Sequence, residues 1–288
     1  MQKVDGGVKS CLTSAALMRI IDAYNATHPT VRISKGGGKA AMWSAINERM
    51  LQKCGQAAEH CWVDSIPGAA GSKEVEKLFM PATPKAWKTN EYTWLTNFDI
   101  EKGLMLYDAE PSYHYKFLGV FPIDFAKATF GGCLYQEMCN IDFAKMLKKK
   151  VRYMGAVLNT DPQDAPGQHW ISLFMVIDPA HKAYGAYFFD SVGDAPPKEV
   201  KEFMYKMREA AAKVSPRKFR LAFSQKKMQF RNTECGIFSI AYQIRWLNLL
   251  NSTTLGAANV DFRDIIDQNI DDSIIHELRK VLFRPGPA

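Results

Sequence analysis

Residues 169–190 read HWISLFMVIDPAHKAYGAYFFD. Two strand-sized runs, 169–178 and 183–190, flank the turn Pro179-Ala180-His181-Lys182. A stretch as continuously apolar as 171–177 fits a strand buried on both faces. A four-residue turn makes the two runs an antiparallel hairpin, whose partners have numbers summing to about 361. In that register Asp190 lies opposite Ile171, two residues from His169. Diagonal neighbours across such a pair are ~7–8 Å apart, within side-chain reach. The hairpin therefore predicts an imidazole and a carboxylate together at one end of a sheet.

The segments around it extend the pattern. Residues 151–159 (VRYMGAVLN) and 217–223 (RKFRLAF) read as further strands. A helix is expected over 197–214, with Pro197 in its first turn. The run 235–249 is a strongly apolar helix, with Ile237, Ile240, Ala241, Ile244 and Leu247 on one face. Shorter helices are expected near 261–268 and 272–281. Residues 1–90 have a different texture. Leu12, Ala16, Leu17 and Ile20 mark one helix, and Met42, Ile46, Met50 and Leu51 a second, with a glycine-rich loop at 34–39 and Pro/Gly breaks after residue 65. Strands and helices mix without strict βαβ alternation, which indicates an α+β fold. The expected division is an N-terminal helical arm, 1–90, and a core, 91–288.

Composition excludes several classes. Aromatic residues are 12% of the 288, too many for a disordered chain. No apolar run approaches the ~18–20 residues that span a bilayer, so no membrane insertion is expected. The opening residues MQKVDGGVKS contain no apolar h-region and no Met-Gly start, so neither a secretory signal nor a myristoyl anchor is expected. The net charge of +7 is spread along the chain. Its densest run, Lys148-Lys149-Lys150 with Arg152, reads as a solvated helix end, so nucleic-acid contact is only weakly supported. Six cysteines without a secretory signal read as reduced thiols of an intracellular protein. The spacing Cys54-x5-His60-Cys61 lacks a zinc knuckle, and Gly36-Gly37-Gly38-Lys39 lacks the P-loop pattern. No metal or cofactor is expected.

One cysteine stands apart. Cys235 opens the apolar helix in Asn232-Thr233-Glu234-Cys235-Gly236, with Asn232 or Thr233 as the expected N-cap. A thiol there meets the positive end of the helix dipole and free N–H groups, the setting that favours thiolate. Gly236 permits close approach of another segment, and Glu234 must turn its charge away. A cysteine nucleophile needs an imidazole base and an acid to orient it, the pair the hairpin supplies as His169 and Asp190. Gln229, six residues before Cys235, is placed to donate to an oxyanion together with the Cys235 N–H, with Gln225 as a competitor. Trp170 is suited to wall a narrow groove.

The order His-Trp, Phe-Phe-Asp-Ser, Gln-x5-Cys-Gly resembles the adenain and Ulp/SENP cysteine proteases, which are viral maturation proteases and SUMO-deconjugating enzymes of one fold. Leu95-Thr96-Asn97-Phe98, Val157-Leu158-Asn159-Thr160-Asp161 and Gly167-Gln168-His169-Trp170 most resemble the polyprotein-processing proteases of African swine fever virus and related large DNA viruses. The resemblance covers roughly 90–250 and implies a central mixed sheet flanked by helices. It also implies Cys235 as nucleophile, His169 as base, Asp190 as orienting acid, Gln229 at the oxyanion, and Trp170 and Asn159 along the groove. Cleavage after Gly-Gly pairs of viral structural polyproteins is the implied activity, with location in host cytoplasm, the virus factory and the virion. Alternatives are a SUMO- or ubiquitin-like deconjugating protease, or a non-proteolytic acetyltransferase-like or scaffold member. Gly6-Gly7-Val8 fits a self-trimming site of the same Gly-Gly-x kind.

Overall fold

A segment with no charged side chain has no favourable place at a surface, and 171–176 is fully buried in the computed structural model. The structure describes residues 2–3, 9–10, 12–55, 58–69, 75, 78–130, 132–251, 260, 262–266 and 270–285. The chain divides into two compact units, Met1–Thr83 with Phe283–Ala288, and Pro84–Leu282.

The first unit pairs β1 (Gln2–Lys3) with β2 (Lys9–Ser10) and continues through α1 (Ser14–Thr27), α2 (Gly38–Cys54) and α3 (Glu59–Ser65). Thr13 caps α1 by accepting from the Ala16 N–H at 3.1 Å. Leu17, Ile20, Ile46 and Trp62 form the centre of its core. The Gly6-Gly7-Val8 stretch lies outside the described residues.

The second unit runs α4 (Asn97–Ala109), β3 (Tyr115–Phe121), β4 (Ala128–Thr129), β5 (Gly132–Cys133), α5 (Gln136–Cys139), α6 (Phe143–Lys148) and β6 (Tyr153–Asn159). It continues through β7 (Trp170–Val176), β8 (Gly185–Phe189), α7 (Lys198–Ala212), β9 (Arg220–Phe223), α8 (Cys235–Leu250), α9 (Phe262–Ile266) and α10 (Asp272–Leu282). The central sheet has the order β3-β6-β7-β8-β9. Its outer pairings are parallel and its inner ones antiparallel, so it is the mixed sheet flanked by helices that was expected. The edge strand β3 has no counterpart in the sequence reading: Lys116 interrupts its apolar run and the register shifts between Phe117 and Gly119. Among the described residues no helix is long and apolar enough to cross a membrane.

Alternation along the strands sends Leu173, Met175, Ala186 and Phe188 to one face, where they join Phe203, Met204 and Met207 of α7. The opposite face receives α8. Trp246 stacks on Phe174 at 5.1 Å and Tyr242 on Phe189 at 4.6 Å. Gln243, fully buried, fixes the helix in position. Its amide nitrogen donates to the Ser172 hydroxyl at 2.7 Å and the Leu173 carbonyl at 2.9 Å, and its oxygen accepts from the Tyr115 hydroxyl at 3.0 Å. One side chain of the helix that begins at Cys235 is thereby bonded into the strand that begins next to His169.

The cysteines depart from expectation. Cys54–Cys61 and Cys133–Cys139 are joined as disulfides, with Cα separations of 5.6 and 6.3 Å. The short connections α2–α3 and β5–α5 bring each pair within bridging distance, a closeness that compartment arguments from composition do not register. Cys235 is free.

The Gln243 network leaves no room over Gly155, where an added Cβ would overlap the Gln243 amide and the Tyr115 hydroxyl. Gly155→Ala is therefore expected to destabilise the second unit by about 1–3 kcal/mol, read as a lower midpoint of denaturant unfolding. An unchanged midpoint would show that the network yields at no cost.

Candidate active site

The site is assembled where β7 starts and β8 stops. The hairpin pairs Ser172 with Phe189 and Leu173 with Phe188, the register anticipated from the turn. His169 thus precedes one strand and Asp190 follows the other, and His169 Nε2 lies 2.7 Å from Asp190 Oδ1. Asp190 is buried, and the same oxygen accepts from the Val192 N–H at 2.9 Å. An Asx turn thus aims the carboxylate before any substrate arrives. Gly193, at φ 87°, closes that turn; a Cβ there would sit 2.8 Å from the Gln225 carbonyl oxygen, so only glycine fits without displacing backbone.

Cys235 is the first residue of α8 and is buried, and its thiol acts on the His169 ring closely enough to raise the ring's pKa. Burial works to lower the pKa of that ring. The hydrogen bonds to Asp190 and Cys235, with the charges of both, outweigh burial and push it from 6.5 up to about 10. An imidazole in this setting holds its proton through neutral pH.

The N-cap differs from expectation. Glu234, not Thr233 or Asn232, occupies that position and makes no side-chain cap bond. Its carboxylate is directed elsewhere: Oε2 accepts from Arg279 Nε at 2.8 Å and Oε1 from His276 Nδ1 at 3.1 Å. The charge beside Cys235 is thereby neutralised from α10.

Gln229 is also fixed. Its Oε1 accepts from the Ser191 hydroxyl at 2.6 Å and its backbone N–H donates to the Ser191 carbonyl at 2.8 Å. Its Nε2 donates to the Arg231 carbonyl, which uses one of the two amide hydrogens. Gln225 presents its backbone oxygen to Gly193. Trp170 donates from Nε1 to the Leu95 carbonyl at 3.1 Å. A Cβ on Gly236 would lie 3.1 Å from Leu95 Cβ and 3.3 Å from Trp170 Cδ1, so Leu95, Trp170 and the start of α8 meet closely. Asn159 pairs across the sheet with Trp170, and its Oδ1 accepts from the Asp161 N–H at 2.9 Å. It organises the loop into β7 and also lines a cleft of about 510 Å³ with Trp94, Leu95 and Trp170.

Residues that sequence reasoning missed are Leu95, Ser191, Asp272 and Arg279. The first two lie in segments that carry the resemblance, but Leu95 acts through a backbone oxygen and the partners of the other three lie far along the chain, so the sequence does not mark their contacts.

The model of the adenovirus endoprotease family matches residues 138–273. Over 228 residues, 74% of each chain, the sequence is 29% identical to the cysteine protease S273R of African swine fever virus, isolate Tick/Malawi/Lil 20-1/1983. It is 28% identical over 227 residues to the protein named SUMO-1 cysteine protease S273R from isolate Tick/South Africa/Pretoriuskop Pr4/1996. The crystal structure of the African swine fever virus pS273R protease superposes with a TM-score of 0.58 at 19% identity, covering 99% of this chain and 95% of that one. The chain is thus similar to the adenain-like cysteine proteases in sequence over these spans and in fold. The likeness in fold covers 99% of this chain, beyond the segment matched by the family model.

Because the pKa of His169 is raised, the stabilisation from its pairing is complete below pH 6.5 and is lost as pH rises through about 10. Followed by NMR, the ring is expected to titrate near 10, and Asp190→Asn to bring the midpoint down towards 6.5. A ring that titrates near 6.5 in the unaltered protein would contradict the pairing.

Proposed function

We propose that this cysteine protease is an endopeptidase working through Cys235, His169 and Asp190, and that it cuts after Gly-Gly pairs in viral structural polyproteins. The observation that carries the reading is one imidazole held at 2.7 Å by a buried carboxylate, with its pKa raised by that carboxylate and by a helix-terminal thiol. Three side chains 21 to 66 residues apart in the chain have no structural need to converge in this order.

The chemistry follows from the roles. His169 already carries its proton in the resting site, so Cys235 reacts as the thiolate partner of that imidazolium, and its sulfur attacks the carbonyl carbon of the second glycine. The oxyanion is held by the Cys235 N–H and the free hydrogen of Gln229 Nε2. The C–N bond breaks as His169 gives its proton to the amine, leaving a thioester. Water then adds to the thioester with His169 accepting its proton, and the acid product and the thiol are released. No step calls for a metal or cofactor.

The Gly-Gly preference rests on the resemblance to the adenain and Ulp/SENP proteases; the close packing of Leu95 and Trp170 against Gly236 sets the Trp170 wall beside the start of the helix that carries Cys235. The cleft beyond Trp170, with Trp94 and Asn159 on its walls, is suited to the chain on one side of the cut. The relation to viral proteases supports polyprotein substrates and a site of action in host cytoplasm and virion. The Pretoriuskop relative, a protein named SUMO-1 cysteine protease, supports a second reading, removal of SUMO-like proteins through the same site.

Cys235→Ala is expected to abolish cleavage of a Gly-Gly-x peptide with the fold retained, and Gln229→Ala to slow it by about 10²–10³-fold. A SUMO-fusion substrate assayed in parallel separates the two readings. Undiminished cleavage by purified Cys235→Ala would end both.

A further inference from the structure

The polar face of α10 makes bonds that the reaction as described does not use. Asp272, His276 and Arg279 are spaced i, i+4, i+7 and so share one side of the helix. All three reach the same short segment, 230–234, which leads into Cys235. Asp272 Oδ2 accepts from the N–H groups of Phe230 at 2.8 Å and Arg231 at 3.1 Å. His276 Nδ1 lies 3.1 Å from Glu234 Oε1. Arg279 donates from Nε to Glu234 Oε2 at 2.8 Å and from a terminal nitrogen to the Thr233 carbonyl at 2.9 Å.

Arg279 does more than anchor that segment. Its other terminal nitrogen donates to the carbonyls of Glu91 and Thr93, both at 3.0 Å, and its guanidinium lies 4.4 Å over the Trp87 ring. The stretch it grips runs directly into Leu95, whose carbonyl receives Trp170. One buried guanidinium therefore connects the segment that carries the nucleophile to the segment that carries the wall of the cleft. A guanidinium spans the two because its donors are fixed in a planar fork; a lysine ammonium has no such reach.

We propose that Arg279, supported by Asp272 and His276 and paired with Glu234, is a positioning residue that holds Cys235 in register with His169 and with the Trp170 wall. This deepens the proposed function and rests on it for the role of Cys235. A merely structural ion pair would affect stability alone, whereas a positioning residue affects the thiol even where stability is kept.

Two variants separate these cases. Arg279→Lys keeps a cation beside Glu234 but loses the fork. The double variant Glu234→Gln/Arg279→Met removes both charges, so no lone charge is left buried. Each is measured by thermal melting, by the rate of Cys235 alkylation with iodoacetamide, and by kcat and KM on a Gly-Gly-aminomethylcoumarin peptide. For whichever variants melt near the unaltered protein, alkylation and kcat are expected to fall by about ten- to a hundredfold, with KM little changed. An alkylation rate that is unchanged or faster in a variant that melts normally would overturn the proposal. If both melt early, Asp272→Asn, which keeps the shape of the side chain, takes their place under the same criteria. Alkylation does not require proteolysis. Failure of the unaltered protein to cleave the peptide would therefore strike the proposed function, and the alkylation rates would still decide the role of Arg279.

Discussion

The antiparallel register of β7 and β8 is the constraint on which the site depends. It sets Phe189 against Ser172 and so places Asp190 just beyond one strand and His169 just before the other. A slip of one residue would send Leu173, Met175 and Phe188 from the α7 core to the opposite face. It would also separate the imidazole from its carboxylate. The burial that makes the hairpin stable is therefore the same burial that makes the His169–Asp190 bond available. The Asx turn at 190–193 adds the orientation that register alone does not provide.

The third member of the site comes from a different layer, and its placement is a packing problem. Helix α8 is fastened to the sheet by stacked rings and by Gln243, and α4 packs beside it with Gly103 close against Ile240. Leu95, just before α4, meets Gly236 at the start of α8, so the two helices begin at the same end of the unit. Their N-terminal dipole ends both lie near Trp170, a favourable arrangement for a site where negative charge develops on sulfur and then on oxygen. Glu234 would oppose that field if its charge were free, and the bond to Arg279 removes the conflict.

Much of this is legible in the chain. The apolar run at 171–177 and its turn dictate the register, and the apolar helix that opens with Cys235-Gly236 marks the thiol that acts on His169. Residues whose partners are near in sequence, or follow from strand arithmetic, can be read. Others cannot. The edge strand β3 is broken by Lys116 and its bulge, so its alternation fails. Arg279 pairs with Glu234 across 45 residues, and its remaining bonds go to backbone carbonyls that every sequence possesses. The disulfides escape a reading by composition because short connections fold α2 onto α3 and β5 onto α5, and that closeness is not visible in the cysteine count. Asn159 is legible as a groove position, yet its hydrogen bonds give it the further task of shaping the 160–168 loop.

The account reduces to a thiol activated by one particular imidazole, and covalent trapping tests that most directly. A Gly-Gly peptide carrying a C-terminal vinyl ester would be incubated with the protein and with His169→Ala, and the adduct mapped by mass spectrometry. The account predicts a single adduct on Cys235 that is lost, or slowed by about a thousandfold or more, without the imidazole. An adduct on another residue, or equal labelling of Cys235 in both proteins, would contradict it.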